Sequence, residues 1–229
     1  MIGPLVNAAT IIVCALLGRF VIRNVPKRFE IIIMKAIGAA LVYIGVTGAM
    51  QSSRMLLLIV SMISGAIIGE LIDIDKGMNK LGKWAENKLG SGDGDFARSF
   101  VTATIIFCVG SMAIVGSMES GLSGNHDILY AKSVLDGIMS VVFASQMGIG
   151  TLFSFVPVLV YEGGIVMGAS FVKGWLTAEI ISEMSAVGSL LIAVIGFNFI
   201  GVKEEIKVAN MIPAIFIPWI FIAAENIFF

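Results

Sequence analysis

The sequence predicts an all-α protein: a polytopic transmembrane helix bundle of about eight membrane segments, forming one membrane domain over residues 1–229. Three observations carry that expectation. Of the 229 residues, 58% are hydrophobic and 14% charged, against roughly 45–50% and about 25% in soluble domains. The apolar excess, a mean hydropathy of +0.99, is spread along the whole chain. A lipid-solvated bundle needs this, because its outer surface must be apolar as well as its core. The chain also divides into apolar runs of about 20 residues, the length that crosses roughly 30 Å of hydrocarbon.

The first run, 3–22, lacks a basic region ahead of it and continues past residue 17, so it reads as a retained span and not a cleaved leader. The others cover 31–50, 54–73, 98–118, 131–147, 150–172, 183–201 and 207–227. The fifth is short and carries Asp136, so a re-entrant segment competes there with a full crossing. Small residues recur at Ser61, Gly65 and Gly69 in the third run and at Gly164 and Gly168 in the sixth; such stripes let helix backbones approach closely. Three runs carry helix breakers. The fourth has Gly110-Ser111 and Gly116-Ser117, which weaken a helix. The sixth has Pro157 ahead of Glu162-Gly163-Gly164. The eighth has Pro213 and Pro218, each depriving an earlier carbonyl of its helical donor. Ordinary kinks and a midplane binding site account for these breaks equally well.

Between the third and fourth runs, Met78, Leu81, Trp84 and Ala85 recur at helical spacing among lysines. Residues 76–90 therefore read as an amphipathic helix on the inner leaflet, followed by a flexible Gly-Asp exit. This linker, 76–95, separates an N-terminal half, 1–75, from a C-terminal half, 96–229. Met34-Lys35-Ala36-Ile37-Gly38 is similar to Met184-Ser185-Ala186-Val187-Gly188, with Leu41 against Leu191, and Pro4-Leu5-Val6 can be set against Pro157-Val158-Leu159. Runs one to three and six to eight then face opposite ways, as an inverted repeat requires. Chance matching of apolar helices is the competing explanation.

Orientation follows from the basic residues. With the N-terminus outside and eight crossings, Arg19, Arg23, Lys27, Arg28, Lys35, Lys76, Lys80, Lys83, Lys88, Arg98, Lys203 and Lys207 fall inside. Arg54, Lys132 and Lys173 fall outside. That asymmetry is the positive-inside pattern, and it places both termini outside a cytoplasmic membrane.

Ionisable groups within the runs carry the functional expectation, because each is costly there. Glu162 lies near mid-membrane, with no lysine or arginine at comparable depth. Asp136 shares a helix face with Ser133 and Ser140, a grouping suited to a cation or a solute hydroxyl. Ser111 and Ser117 at the breaks, Asn7, Gln146, Asn198 and Asn210 complete the candidate solute- or ion-binding set. Each alone is more often a helix–helix hydrogen bond than a ligand. Glu70 reads as an interfacial anchor. Cys14 and Cys108 read as packing residues and not as a disulfide. His126 stands in a polar loop with no second His or Cys nearby, so no metal site is expected. No catalytic residues and no cofactor are expected either, since the Walker, HExxH and GxGxxG patterns are absent. A net charge of −1 gives no preference for nucleic acid.

The run from Phe107 to Gly116, then Lys132-Ser133-Val134-Leu135-Asp136-Gly137, and Ile206-Lys207-Val208-Ala209-Asn210 ahead of Pro213, resemble the YqgA/YdfK-like family of bacterial multi-pass membrane proteins (domain-of-unknown-function family 554). The resemblance covers nearly the whole chain. It implies a bacterial inner-membrane protein and a transporter role without a substrate. The chain departs from the family's pattern at Glu162, where glutamine is common; this weakens a proton-carrying duty there and leaves a polar ligand role intact.

The expected function is therefore a secondary transporter of a small solute or ion working by alternating access, its site between the halves. A passive channel and a non-transporting membrane scaffold or accessory subunit are the alternatives. The partners expected are the bilayer, the small solute or ion, and a second copy in a homodimer.

Overall fold

The computed structural model describes residues 1–21, 27–78, 80, 96–109, 111–172 and 176–228. All regular structure among them is helical: α1 (Ile2–Val21), α2 (Lys27–Ala49), α3 (Met55–Ile72), α4 (Phe96–Cys108), α5 (Ser111–Leu122), α6 (Asp127–Met147), the single turn α7 (Gly150–Phe153), α8 (Phe155–Val172), α9 (Ala178–Ile200), the 3-10 helix Val208–Phe216 and α10 (Ile217–Phe228). Seven helical segments are long and apolar enough to cross a membrane, and α4 with α5, bent by 59°, makes up to eight. The amphipathic stretch expected over 76–90 and its exit lie almost wholly outside the described residues.

Two boundaries differ from the sequence expectation. The fifth crossing helix begins at Asp127 and not at 131, so it has the length of a full span. The polar residues Tyr130 and Lys132 depress hydropathy over that first turn although the helix continues through them. The seventh begins at Ala178 and not at 183. There the Thr177 hydroxyl accepts the Ile180 amide at 3.3 Å, a helix cap, and the acidic Glu179 suits the positive end of the helix dipole.

The chain forms two compact units, one of Met1–Glu30 with Gly77–Lys173, the other of Ile31–Lys76 with Gly174–Phe229. This grouping does not follow the halves 1–75 and 96–229, since contact and not chain adjacency assembles each unit.

In the first unit α1 packs along α6 and against α8, while α5 packs on α8 and α6. Gly3 faces Leu129, Thr10 and Cys14 face Gly137, and Gly18 lies against the Val141 backbone. Residue numbers rise together along both helices, so α1 and α6 are parallel. Parallel neighbours need an odd number of crossings between them, as three intervening spans supply. Gly116 of α5 faces Ile128 and, further along the helix, Gly121 faces Val166 and Ala169; with Glu162 level with Lys132 and Asn7, α8 runs opposite to α6 and α1.

In the second unit Gly38, Gly45 and Gly48 of α2 lie against Gly196, Ala193 and Ser189 of α9, so this pair is antiparallel. The small stripe of α3 packs the 3-10 helix, Gly65 against Ala214 and Gly69 against the Asn210 backbone, again antiparallel. A 3-10 segment of nine residues is unusually long, and Pro213 within it helps explain why: a proline cannot supply the amide an α-helix needs. Leu57, Ile180, Met184 and Ile222 close a small apolar core where α3, α9 and α10 meet.

Candidate functional site

The polar centre of the first unit is built by three helices. α1 contributes Asn7, α6 contributes Lys132 and Asp136 one turn apart, and α8 contributes Glu162. All four are withdrawn from the surface, at 0%, 5%, 7% and 0% exposure respectively. The Asn7 amide nitrogen donates to Asp136 Oδ2 and to Glu162 Oε1, each at 2.9 Å. The Lys132 ammonium pairs with Asp136 and reaches Glu162 Oε1 at 3.2 Å. One lysine and one amide thus hold two carboxylates together inside the unit. Since α1 belongs to the N-terminal half and α6 and α8 to the C-terminal half, the cluster joins the two halves of the sequence.

With every group in its usual ionised form the cluster carries two negative charges and one positive. Charges withdrawn from water are tolerated only when paired and hydrogen-bonded, and the pairing here is incomplete. Asn7 Oδ1 and Glu162 Oε2 are both buried and have no hydrogen-bond partner among the described residues. The helix break adds a second element: α4 and α5, on either side of it, both pack against α6 and α8, the helices that carry Lys132, Asp136 and Glu162.

The structure brings Asn7, Asp136 and Glu162 together from the candidate set. Ser140 lies one turn beyond Asp136 with a buried, unpartnered hydroxyl, and Ser117 of α5 is in the same condition. Ser133 is turned to its own helix, donating to the Leu129 carbonyl at 2.7 Å. Gln146, at the end of α6, leaves Oε1 without a partner. Ser111 opens α5, but its side chain lies outside the described residues. Asn198 and Asn210 belong to the second unit, not to the cluster. Asn198 bridges the backbone of Ile206, and Asn210 links Glu70 Oε2 at 2.6 Å to the Asp75 amide at 2.7 Å. Glu70 also pairs with Lys207 at 3.5 Å. Cys14 and Cys108 are free thiols, and no metal-holding group of His, Cys, Asp or Glu occurs among the described residues.

The expectation that Glu162 has no basic residue at its depth is corrected: Lys132, counted at the outer end of the fifth run, is a buried member of α6 that reaches Glu162. The signal was present, because Lys132 and Asp136 stand at the i, i+4 spacing of a helical ion pair. A second buried carboxylate also escaped the sequence reading. Glu183 of α9 accepts from the Ser52 hydroxyl at 2.5 Å, the Ser53 amide at 2.8 Å and hydroxyl at 3.0 Å, and the Arg54 amide at 3.2 Å. It thereby satisfies donors at the start of α3. Arg54 next to it bridges Glu179 at 2.7 Å and Glu225 at 2.5 Å. The hydrogen bond it donates to Glu225, with Glu179 beside it, raises the guanidinium above its ordinary range.

Comparison with known proteins gives one consistent picture. A family model described as "Protein of unknown function (DUF554)" matches residues 2–223. The chain is 30% identical over 223 residues to the "Uncharacterized membrane protein YdfK" of Bacillus subtilis (strain 168), covering 95% of this chain and 94% of that one. It is 28% identical over 220 residues to the "Uncharacterized protein YqgA" of Escherichia coli (strain K12), covering 94% and 93%. No solved structure matches.

Proposed function

The chain belongs to the DUF554 family of membrane proteins, and from that premise we propose that it is a secondary transporter of a small solute or ion, with Asn7, Lys132, Asp136 and Glu162 as its binding centre. The observation that carries this reading is the incompletely paired charge cluster buried among apolar spans. A purely structural ion pair would end with its charges balanced and its acceptors met; this one leaves one negative charge over and two oxygens unpartnered. Intramembrane ionisable groups of this kind mark solute and ion pathways. The bent pair α4–α5 beside the cluster fits the discontinuous helices on which such sites are built. In the cycle, one helix bundle moves against another around the cluster, exposing it alternately to the two sides. Binding and conformational change carry this function, with no enzymatic step.

We propose an inverted repeat as part of the same reading. The register that sets Met34 against Met184 also sets Tyr43 against Ala193 and Ser64 against Ala214. It is at these places that Gly45 meets Ala193 and Gly65 meets Ala214, each in an antiparallel pair. The register that sets Pro4 against Pro157 puts Asn7 close to the counterpart of Glu162, where α1 and α8 cross. Partners related by a pseudo-two-fold axis in the membrane plane should meet in this way.

In this account the protein resides in a bacterial cytoplasmic membrane with both termini outside. With Lys132 paired inside the bundle, it leaves the outside count, which strengthens the inside excess of basic residues. A homodimer would use α8, where Gly164 has open space around it. The reading is tested by thermal unfolding of the detergent-purified protein against a panel of ions and small metabolites. A ligand at 100 times its Kd stabilises by about 2.7 kcal/mol. A selective shift that disappears in Asp136→Asn or Glu162→Gln supports the site; a broad panel without any shift counts against transport.

A further inference from the structure

We infer that the cluster binds one monovalent alkali cation, of sodium size or smaller, between Asn7 Oδ1 and Glu162 Oε2. The inference rests on the transporter reading for its role and on the cluster's geometry for its chemistry.

The charge count comes first. Asp136 and Glu162 are opposed by Lys132 alone, so a single further positive charge neutralises the site, whereas a divalent ion would overshoot and face the ammonium already seated on both carboxylates. Uncompensated charge is expensive where water is excluded. The second observation is independent of the count and concerns which atoms are unmet. The Asn7 amide nitrogen donates to both carboxylates, which fixes the orientation of the amide: its oxygen cannot turn toward them without repulsion. Asn7 Oδ1 is therefore left as an acceptor, fully buried, with no partner among the described residues. Glu162 Oε2 is the same kind of atom in the same state. Buried acceptors without donors call for a donor or a cation. Hard cations take carboxylate and amide oxygens as ligands, which is the pair offered here.

A proton on Glu162 Oε2 also balances the charge, with Asn7 Oδ1 as its acceptor, so the salt and pH arms of the test below separate it from the alkali cation proposed. Asn7 and Glu162 are entirely shielded from solvent, so the proposed ion is dehydrated and held by protein oxygens, which favours a small cation. Ser140 Oγ, one turn along α6 and also unpartnered, is the hydroxyl placed to extend the shell.

The test uses the full chain purified in detergent at constant ionic strength, with sodium chloride exchanged for lithium, potassium or choline chloride. Sodium at 100 times its Kd is expected to raise the melting temperature by roughly 5 °C or more. The response should saturate, potassium and choline should fail to reproduce it, and Asn7→Ala and Glu162→Gln should abolish it. Equilibrium binding of radioactive sodium to the wild-type protein, which needs no variant to fold, should give one ion per chain. Equal melting in all four salts with no bound sodium overturns the proposal. So does a stabilisation that follows pH alone, which would assign the balancing charge to a proton on Asp136 or Glu162. Uptake assays separate this from the transporter reading. Bound sodium with uptake unchanged in the variants sinks transport through this site, and uptake lost without sodium binding sinks the cation.

Discussion

Removing the Lys132 ammonium is the sharpest structural test of the cluster. In Lys132→Met the side chain keeps its apolar reach and its fit in α6, but Asp136 and Glu162 lose the cation that touches both. Two buried carboxylates then share a site in which every residue is less than one-tenth exposed. Breaking a buried pair by removing one partner typically costs about 3–5 kcal/mol. For a chain of this length each kcal/mol moves the melting temperature by roughly 2–4 °C, so a drop of about 10 °C is expected. Adding Asp136→Asn to the same chain restores the wild-type charge balance and should recover most of the loss. If the cluster also holds a cation, the deficit of the single variant shrinks as sodium chloride replaces choline chloride. Differential scanning fluorimetry in detergent reads all three. A Lys132→Met protein that melts with the wild type, or a double variant that melts no higher than the single one, refutes the reasoning.

Other expectations concern the second unit. Gly69→Ala places a Cβ inside the Asn210 carbonyl, a backbone clash that no side chain can relieve. It should cost at least 1–3 kcal/mol and appear as a lower melting temperature, with the milder Gly164→Ala, which meets open space, as control. Glu183→Ala strips four hydrogen bonds from the start of α3. It should speed hydrogen exchange at the Ser53 and Arg54 amides, while Arg54→Ala, which removes only partly exposed ion pairs, leaves those amides protected.

Much of this architecture could be read from the chain because crossing a membrane is a demand on bulk composition. A run of about 20 apolar residues leaves few other options, and the bend after Cys108 falls at the Gly-Ser pair that weakens the helix. Pairing was less legible. That α1 sits beside α6 and α8 depends on contacts between residues such as Asn7 and Glu162, 155 positions apart, which no local pattern encodes. Lys132 was misplaced for a definite reason: hydropathy treats a charge near the edge of an apolar run as the end of the run. A lysine paired one turn away with Asp136 can instead continue the helix into the bundle. Glu183 was overlooked on similar grounds, since its donors Ser52, Ser53 and Arg54 come from the far end of another helix pair. The long 3-10 segment had only Pro213 as a sign, and a proline predicts a break without specifying its form.

The central claim, that Asn7, Lys132, Asp136 and Glu162 form the working site of a transporter, is tested most directly by solute uptake into proteoliposomes. The solute would come from the unfolding screen, with an imposed sodium gradient. The account predicts saturable uptake by the wild-type chain and its loss in Asp136→Asn and Glu162→Gln variants that reconstitute and melt as folded proteins. Uptake at the wild-type rate in both variants would contradict it.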